Sequence, residues 1–207
     1  GLPLDAKLVV CVGVIDERKG VDALINAFLA LPANEERRLV LAGRHSPKVL
    51  AILNQTPGAP IISINRYLSD DELNCYVNAA DIIAAPYPNF VGSASIVIRA
   101  CAAGRVCLAS DSPWMQRVVE QFDLGLTINP RNQTAMTAGL TQCLSLSDHF
   151  ALSQQAEALL AFSNMNNIAT HLTSLLYDRL AIRRARDVLL WPGLRSSQGN
   201  NKPASLM

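Results

Sequence analysis

The sequence lacks several features that would restrict its function directly. Its 18 basic and 17 acidic residues leave a formal net charge of +1, so the chain has no broad electrostatic field for nucleic acid or an anionic membrane. No apolar run approaches the ~18 residues that span a bilayer. Residues 1–7 lack the basic and apolar regions of a secretion signal. We therefore predict a cytoplasmic protein in which any bound anion must meet a local site.

Metal-binding and hydrolase motifs are missing as well. No clustered Asp/His set suggests a metal, and no G-x-S-x-G elbow suggests a serine hydrolase. The five cysteines show no C-x-x-C spacing, and most lie in apolar runs, so we predict buried free thiols in a reducing compartment. They are Cys11, Cys75, Cys101, Cys107 and Cys143.

Short apolar runs alternate with segments of helical periodicity along most of the chain. This alternation predicts an α/β, Rossmann-like three-layer domain with a parallel sheet of about six strands and helices on both faces. The predicted strands are 8–12, 39–42, 61–64, 82–85, 106–109 and 126–128. The predicted helices are 21–31, 47–55, 69–80, 94–103, 113–122 and 132–144, the third with a capping box from Ser69 to Glu72.

The two ends of the chain carry further expectations. C-terminal helices are predicted over about 151–190, so that one domain covers 1–190. Residues 191–207 are polar and predict a disordered tail. Because the chain begins with Gly a few residues before a strand, we expect a piece of a longer protein.

A glycine-bounded turn, residues 13–20, joins the first predicted strand to its helix and carries Arg18 and Lys19. Backbone N–H groups and the helix dipole favour an anion at such a junction. Two adjacent cations there indicate a phosphate or diphosphate site. A solvated surface pair is an equally good interpretation from the residues alone, because the turn is neither G-x-G-x-x-G nor a Walker loop.

Five segments form an ordered set of motifs: 12–28, 39–43, 68–82, 100–111 and 125–130. This set resembles the C-terminal, nucleotide-sugar-binding domain of GT-B glycosyltransferases of the group 1 type. The resemblance covers about residues 1–175. It implies that an N-terminal, acceptor-binding half is missing from this chain.

The resemblance implies a donor site and a function. Lys19, assisted by Arg18, would neutralise the diphosphate of a nucleotide-sugar as it leaves, with no metal required. The donor-binding positions would be Gly13, Gly43, Arg66, Gly92, Ser93, Ala94, Ser95 and Arg99.

The sequence departs from the family pattern at three donor contacts. Two glutamates eight residues apart are replaced by Val91 and Arg99, and no Asp or Glu lies between Asp81 and Asp111. Val14 stands where these enzymes commonly carry Arg. A guanidinium cannot accept hydrogen bonds from a ribose, so Arg99 could instead contact a phosphate, Asp111 or the missing half. The losses leave open a degenerate, non-catalytic scaffold.

Other residues carry two interpretations each. Ser93 or Ser95 could bond a phosphate or merely cap a helix, and Arg66 could contact the base or be exposed. His45 is expected at the surface. The basic cluster from Arg179 to Arg186 fits a membrane-surface helix or, preferably, a docking face for the missing half, which would also let two copies pair.

Overall fold

The structure is a computed structural model that describes residues 1–33 and 36–179, without the side chains of 177–179. The chain divides into two compact units, Gly1–Ala156 and Glu157–Met207. Each is considered by itself.

The first unit contains a six-stranded parallel sheet, as predicted. The strands are β1 (Lys7–Val12), β2 (Arg37–Ala42), β3 (Ile61–Ile64), β4 (Ile82–Ala85), β5 (Val106–Ser110) and β6 (Gly125–Ile128). The helices are α1 (Val21–Leu29), α2 (Pro47–Asn54), α3 (Asp70–Ala79), α4 (Ser95–Ala102), α5 (Pro113–Gln121) and α6 (Gln133–Leu146). A 3₁₀ turn, Glu17–Lys19, precedes α1 and was not predicted.

The strands are nearly continuous apolar runs because helices cover both faces of the sheet. On one face, α1 and α6 pack on a core that includes Val9, Leu41 and Leu108. On the other face, α3 contacts β1, while α4 and α5 contact β5. The α/β, Rossmann-like three-layer expectation is therefore confirmed.

Local sequence signals set most helix starts. The Ser69 hydroxyl accepts a hydrogen bond from the Glu72 N–H, and the Glu72 carboxylate accepts one from the Ser69 N–H, so the predicted capping box is present. Ser46 caps α2 ahead of Pro47, and Asn132 caps α6. These caps fix where the chain turns from each strand into the following helix.

The second unit contains most of the helix α7 (Gln154–Phe162) and all of the described helix α8 (Met165–Arg179). Large apolar side chains on α8 are exposed, Met165 at 75% and Leu176 at 63% among them. Helices were predicted here over about 151–190. The part beyond 179, the arginines at 183–186 and the predicted tail 191–207 lie outside the described residues. Within the described residues, no helix is long and apolar enough to cross a membrane.

The cysteine expectation holds for four of the five residues. All five thiols are free, but Cys75 is exposed and the expectation of burial is wrong there. Cys75 lies on α3, whose outer face is solvated, and only Val77 of that helix is fully buried. Burial raises the pKa of the Cys101 thiol to about 11 and that of Cys143 to about 12.

We predict that one thiol of the native protein reacts rapidly with a thiol-specific reagent at pH 8, because the other four are buried and protonated. Ellman titration should give one fast equivalent, and five after denaturation. Cys75→Ser should abolish the fast reaction. A fast equivalent that persists in Cys75→Ser would contradict this assignment.

Candidate functional site

The order of the strands sets where a doubly wound sheet is expected to form its ligand crevice. The order is β3-β2-β1-β4-β5-β6, so the connections on either side of the β1/β4 pair lead in opposite directions. In doubly wound sheets, ligands bind at the carboxyl ends of the strands at such a switch point. The loops 13–20 after β1 and 86–94 after β4 border this crevice.

Lys19 bridges the two loops that border the crevice. Its ammonium Nζ donates to the backbone carbonyl of Val12 over 3.0 Å and to the phenol oxygen of Tyr87 over 2.8 Å. Nζ also lies 4.6 Å from the centre of the Tyr87 ring, within reach of a cation–π interaction. The side chain is therefore held at the end of β1 by contacts from both sides of the switch point.

The charge of Lys19 is not neutralised within the described part of the chain. No carboxylate there forms an ion pair with Nζ. An ammonium has three N–H donors, and the two hydrogen bonds above use two of them. One donor and a full positive charge therefore remain for an anion.

Tyr87 is a part of the site that the sequence analysis missed. It is only 6% exposed and packs edge-on against Phe90, with ring centres 5.4 Å apart. Burial raises the pKa of its phenol well above the ordinary value, so the group stays neutral. A tyrosine two residues beyond the buried end of β4 was the available signal.

Two glycines let the loops approach each other closely. Gly20 has a φ of +64°, and a Cβ there would lie 2.2 Å from the carbonyl oxygen of Pro86. Gly43, with a φ of +135°, packs on Gly13, where a Cβ would come within 1.8 Å of the Gly13 oxygen. A side chain at either glycine would push neighbouring loops apart.

The turn before α4 presents small residues and exposed backbone. Gly92, Ser93 and Ser95 are exposed, whereas Ala94 is buried and occupies the N-cap position without a side-chain hydrogen bond. The interpretation that Ser93 or Ser95 merely caps the helix is therefore wrong. The first turn of α4 keeps the positive end of its dipole free of a side-chain cap.

A second concavity adjoins the crevice. The β4–β6 cleft, of about 230 Å³, lies between the loops that follow β4, β5 and β6. Its lining includes Tyr87, Asp111 and Arg131. Arg131 donates to the side-chain oxygen of Asn89, a residue with a φ of +56°. Tyr87 thus forms part of both the crevice and this cleft.

The family described as "Glycosyl transferases group 1" matches residues 6–146. This chain belongs to that family. A comparison with curated protein sequences gave no match.

Solved structures of similar fold include the following three proteins. Sucrose-phosphate synthase from Thermosynechococcus elongatus is 22% identical, with a TM-score of 0.74 over 87% of this chain and 47% of that one. WaaG, a glycosyltransferase involved in lipopolysaccharide biosynthesis, is 22% identical, with a TM-score of 0.65 over 83% and 47%. HepE from Anabaena, in complex with UDP and glucose, is 15% identical, with a TM-score of 0.70 over 84% and 49%. The chain spans about half the length of these proteins.

Arg18 lies in the loop that borders the crevice but is engaged locally. Its guanidinium donates to the Asp16 carboxylate, with Nη2 2.5 Å from Oδ2, and its side chain is 84% exposed. Asp16 also caps the 3₁₀ turn by accepting from the Arg18 N–H. Arg18 therefore stabilises the turn that carries Lys19.

Arg99, at the position of the second family glutamate, fastens α4 to α3. Its Nη2 donates to Asp70 Oδ1 over 2.9 Å, and its Nη1 donates to Asn74 Oδ1 over 2.5 Å. The expected alternative partner Asp111 is not the one used. Val91, at the position of the first glutamate, is 94% exposed. Neither position supplies an acceptor to the crevice.

Arg66 and His45 complete the predicted set. Arg66 pairs with Glu72 at 2.6 Å, and this contact, helped by the Ser69 N–H, lowers the pKa of Glu72 to about 2. His45 is buried, so the expectation of a surface position is wrong. Its Nδ1 donates to the Gly43 carbonyl and its Nε2 accepts from Ser63, and burial lowers its pKa. It stabilises the loop after β2.

Among the described residues, no group of three or more His, Cys, Asp or Glu side chains could hold a metal ion. Lys19 and Arg18 lie in the loop that borders the crevice, and Arg131 lines the adjoining cleft.

We predict that Gly20→Ala destabilises the fold more than Gly58→Ala. Both glycines have similar positive φ values, but a Cβ at Gly58 meets nothing within 4 Å. The left-handed backbone costs roughly 1–2 kcal/mol in each variant, and overpacking against Pro86 should add about 1–3 kcal/mol in Gly20→Ala. Urea denaturation measures both. Equal losses would contradict the close approach of the two loops.

Proposed function

We propose that this domain binds a nucleotide-diphosphate sugar and forms the donor half of a glycosyltransferase. The observation that carries the proposal is the ammonium of Lys19, fixed at the switch point without a carboxylate partner among the described residues. A diphosphate matches a site that offers a full positive charge, backbone that a ligand can approach closely, and a helix N-terminus.

The same contacts suggest how the domain would assist sugar transfer. Negative charge grows on the diphosphate as the bond to the sugar breaks, and a fixed cation stabilises that charge without reorganising. Lys19 would supply the cation. Gly13 would allow the ligand close to the backbone, and the turn Gly92–Ser95 would offer N–H groups at the start of α4. In this scheme the diphosphate needs no metal ion.

The other predicted residues have weaker support. Arg18, Arg66 and Arg99 each donate to a carboxylate of this chain, so contact with a donor would require each to exchange that partner. Gly43 supports Gly13 from beneath. We retain Lys19, Gly13 and the turn before α4 as the central contacts.

The chain's length relative to similar structures supports an absent partner half. Sugar transfer would need a second domain, N-terminal to this one, that brings the acceptor to the crevice. HepE structures are described with UDP and with UDP-glucose, which makes UDP a sensible first probe. Five unpaired cysteines suit a reducing, cytoplasmic compartment.

We predict that the full-length protein binds UDP or GDP and that Lys19→Ala weakens binding roughly 10- to 100-fold, the range for losing a hydrogen bond to a charged group. Isothermal titration calorimetry measures the change. Lys48→Ala is the matched control, since Lys48 is an exposed lysine on α2. No binding by the wild type, or equal binding by Lys19→Ala, would contradict the proposal.

A second candidate is a non-catalytic scaffold that keeps the fold. It is favoured by the engagement of Arg99 with α3 at a position where the family uses a glutamate. Sugar-nucleotide turnover by the unmodified full-length protein would exclude it. If the unmodified protein shows no turnover and the Arg99→Glu variant does, the scaffold function is supported.

A further inference from the structure

The hydroxyl proton of Tyr87 is a hydrogen-bond donor that the described residues leave unused. Its oxygen accepts a hydrogen bond from Lys19 over 2.8 Å, so its own proton must be donated elsewhere. Among the described residues, no hydrogen bond donated by that proton is found. Tyr87 as a whole is only 6% exposed, and a polar donor in a largely buried side chain is costly when it has no partner.

Two unused donors therefore lie side by side. The phenol O–H belongs to the oxygen that Lys19 contacts, and the ammonium keeps a third N–H after its bonds to Val12 and Tyr87. A phosphate offers several acceptor oxygens in a compact group. One such group could accept from both donors and satisfy the buried hydroxyl.

We propose that Tyr87 is a second phosphate-binding residue, which donates its phenol proton to the anion held by Lys19. The inference rests on the proposed function and adds a ligand contact to it. The lysine proton polarises the phenol oxygen and strengthens its O–H as a donor. The hydrogen bond between Lys19 and Tyr87 fixes both donors relative to each other. Together they would hold the anion in one position better than an unrestrained lysine.

The surroundings of Tyr87 suit this role. Phe90 packs against the ring, and the glycine at position 20 holds the β1 loop against Pro86, the residue before Tyr87. The phenol is therefore fixed before a ligand arrives, which lowers the entropic cost of binding. The adjoining β4–β6 cleft gives room for the remainder of a ligand.

The test compares binding of pyrophosphate and of UDP to the full-length wild type, Tyr87→Phe and Tyr76→Phe by calorimetry. Tyr87→Phe removes one oxygen and keeps the ring beneath Lys19. Binding of both ligands should weaken about tenfold, as expected for a hydrogen bond to a charged group. Tyr76→Phe removes a hydroxyl on α3 and should leave both affinities unchanged.

Direct donation is separated from an effect through Lys19 by repeating Tyr87→Phe in a Lys19→Ala background. A further loss of the residual pyrophosphate affinity supports donation, and no further loss overturns it. The wild type labelled with ¹³C at the tyrosine Cζ provides a second measurement, in which the Tyr87 signal is the one absent from the spectrum of Tyr87→Phe. The Tyr87 signal should shift when pyrophosphate is added, and an unmoved signal would overturn the inference.

The outcomes separate the two proposals. If the wild type binds both ligands and Tyr87→Phe binds them equally well, this inference fails while the donor function stands. If the wild type binds neither ligand, the donor function fails and the role of Tyr87 fails with it.

Discussion

The contact of the Lys19 ammonium with Tyr87 and the Val12 carbonyl is the interaction on which the site depends. It joins the ends of β1 and β4, the two strands between which the topology reverses. A lysine side chain in solution loses considerable rotamer freedom when it binds an anion. Here that freedom is already restricted in the folded protein, so the charge is in place before a ligand arrives.

The close packing of the loops makes this arrangement possible. Gly20 lets the β1 loop lie against Pro86, and Gly43 lets the β2 loop support Gly13. Two ion pairs stabilise segments around the site: Arg18 pairs with Asp16 in the turn before α1, and Arg99 on α4 pairs with Asp70 on α3. These exposed pairs contribute little stability individually. Their effect is to direct Arg18 and Arg99 toward this chain's own carboxylates, whereas Lys19 forms no ion pair with a carboxylate of the described residues.

Much of the fold could be predicted from the sequence because its signals are local. Continuous apolar runs mark strands such as β4 at its observed bounds, and the Ser69 to Glu72 spacing marks the start of α3. The site was less predictable, since its contacts join distant segments. Lys19 was identified from its turn, but its partner Tyr87 lies far along the chain. Similarly, burial of His45 depends on Ser63 and Gly43, which no local pattern indicates.

A crystal structure of the full-length protein with UDP tests the central claim most directly. The account predicts diphosphate oxygens within about 3.2 Å of Lys19 Nζ, a hydrogen-bonding distance, with Lys19 still in contact with Tyr87. A diphosphate bound away from the β1/β4 switch point, or a Lys19 side chain turned out of the crevice in the complex, would contradict it.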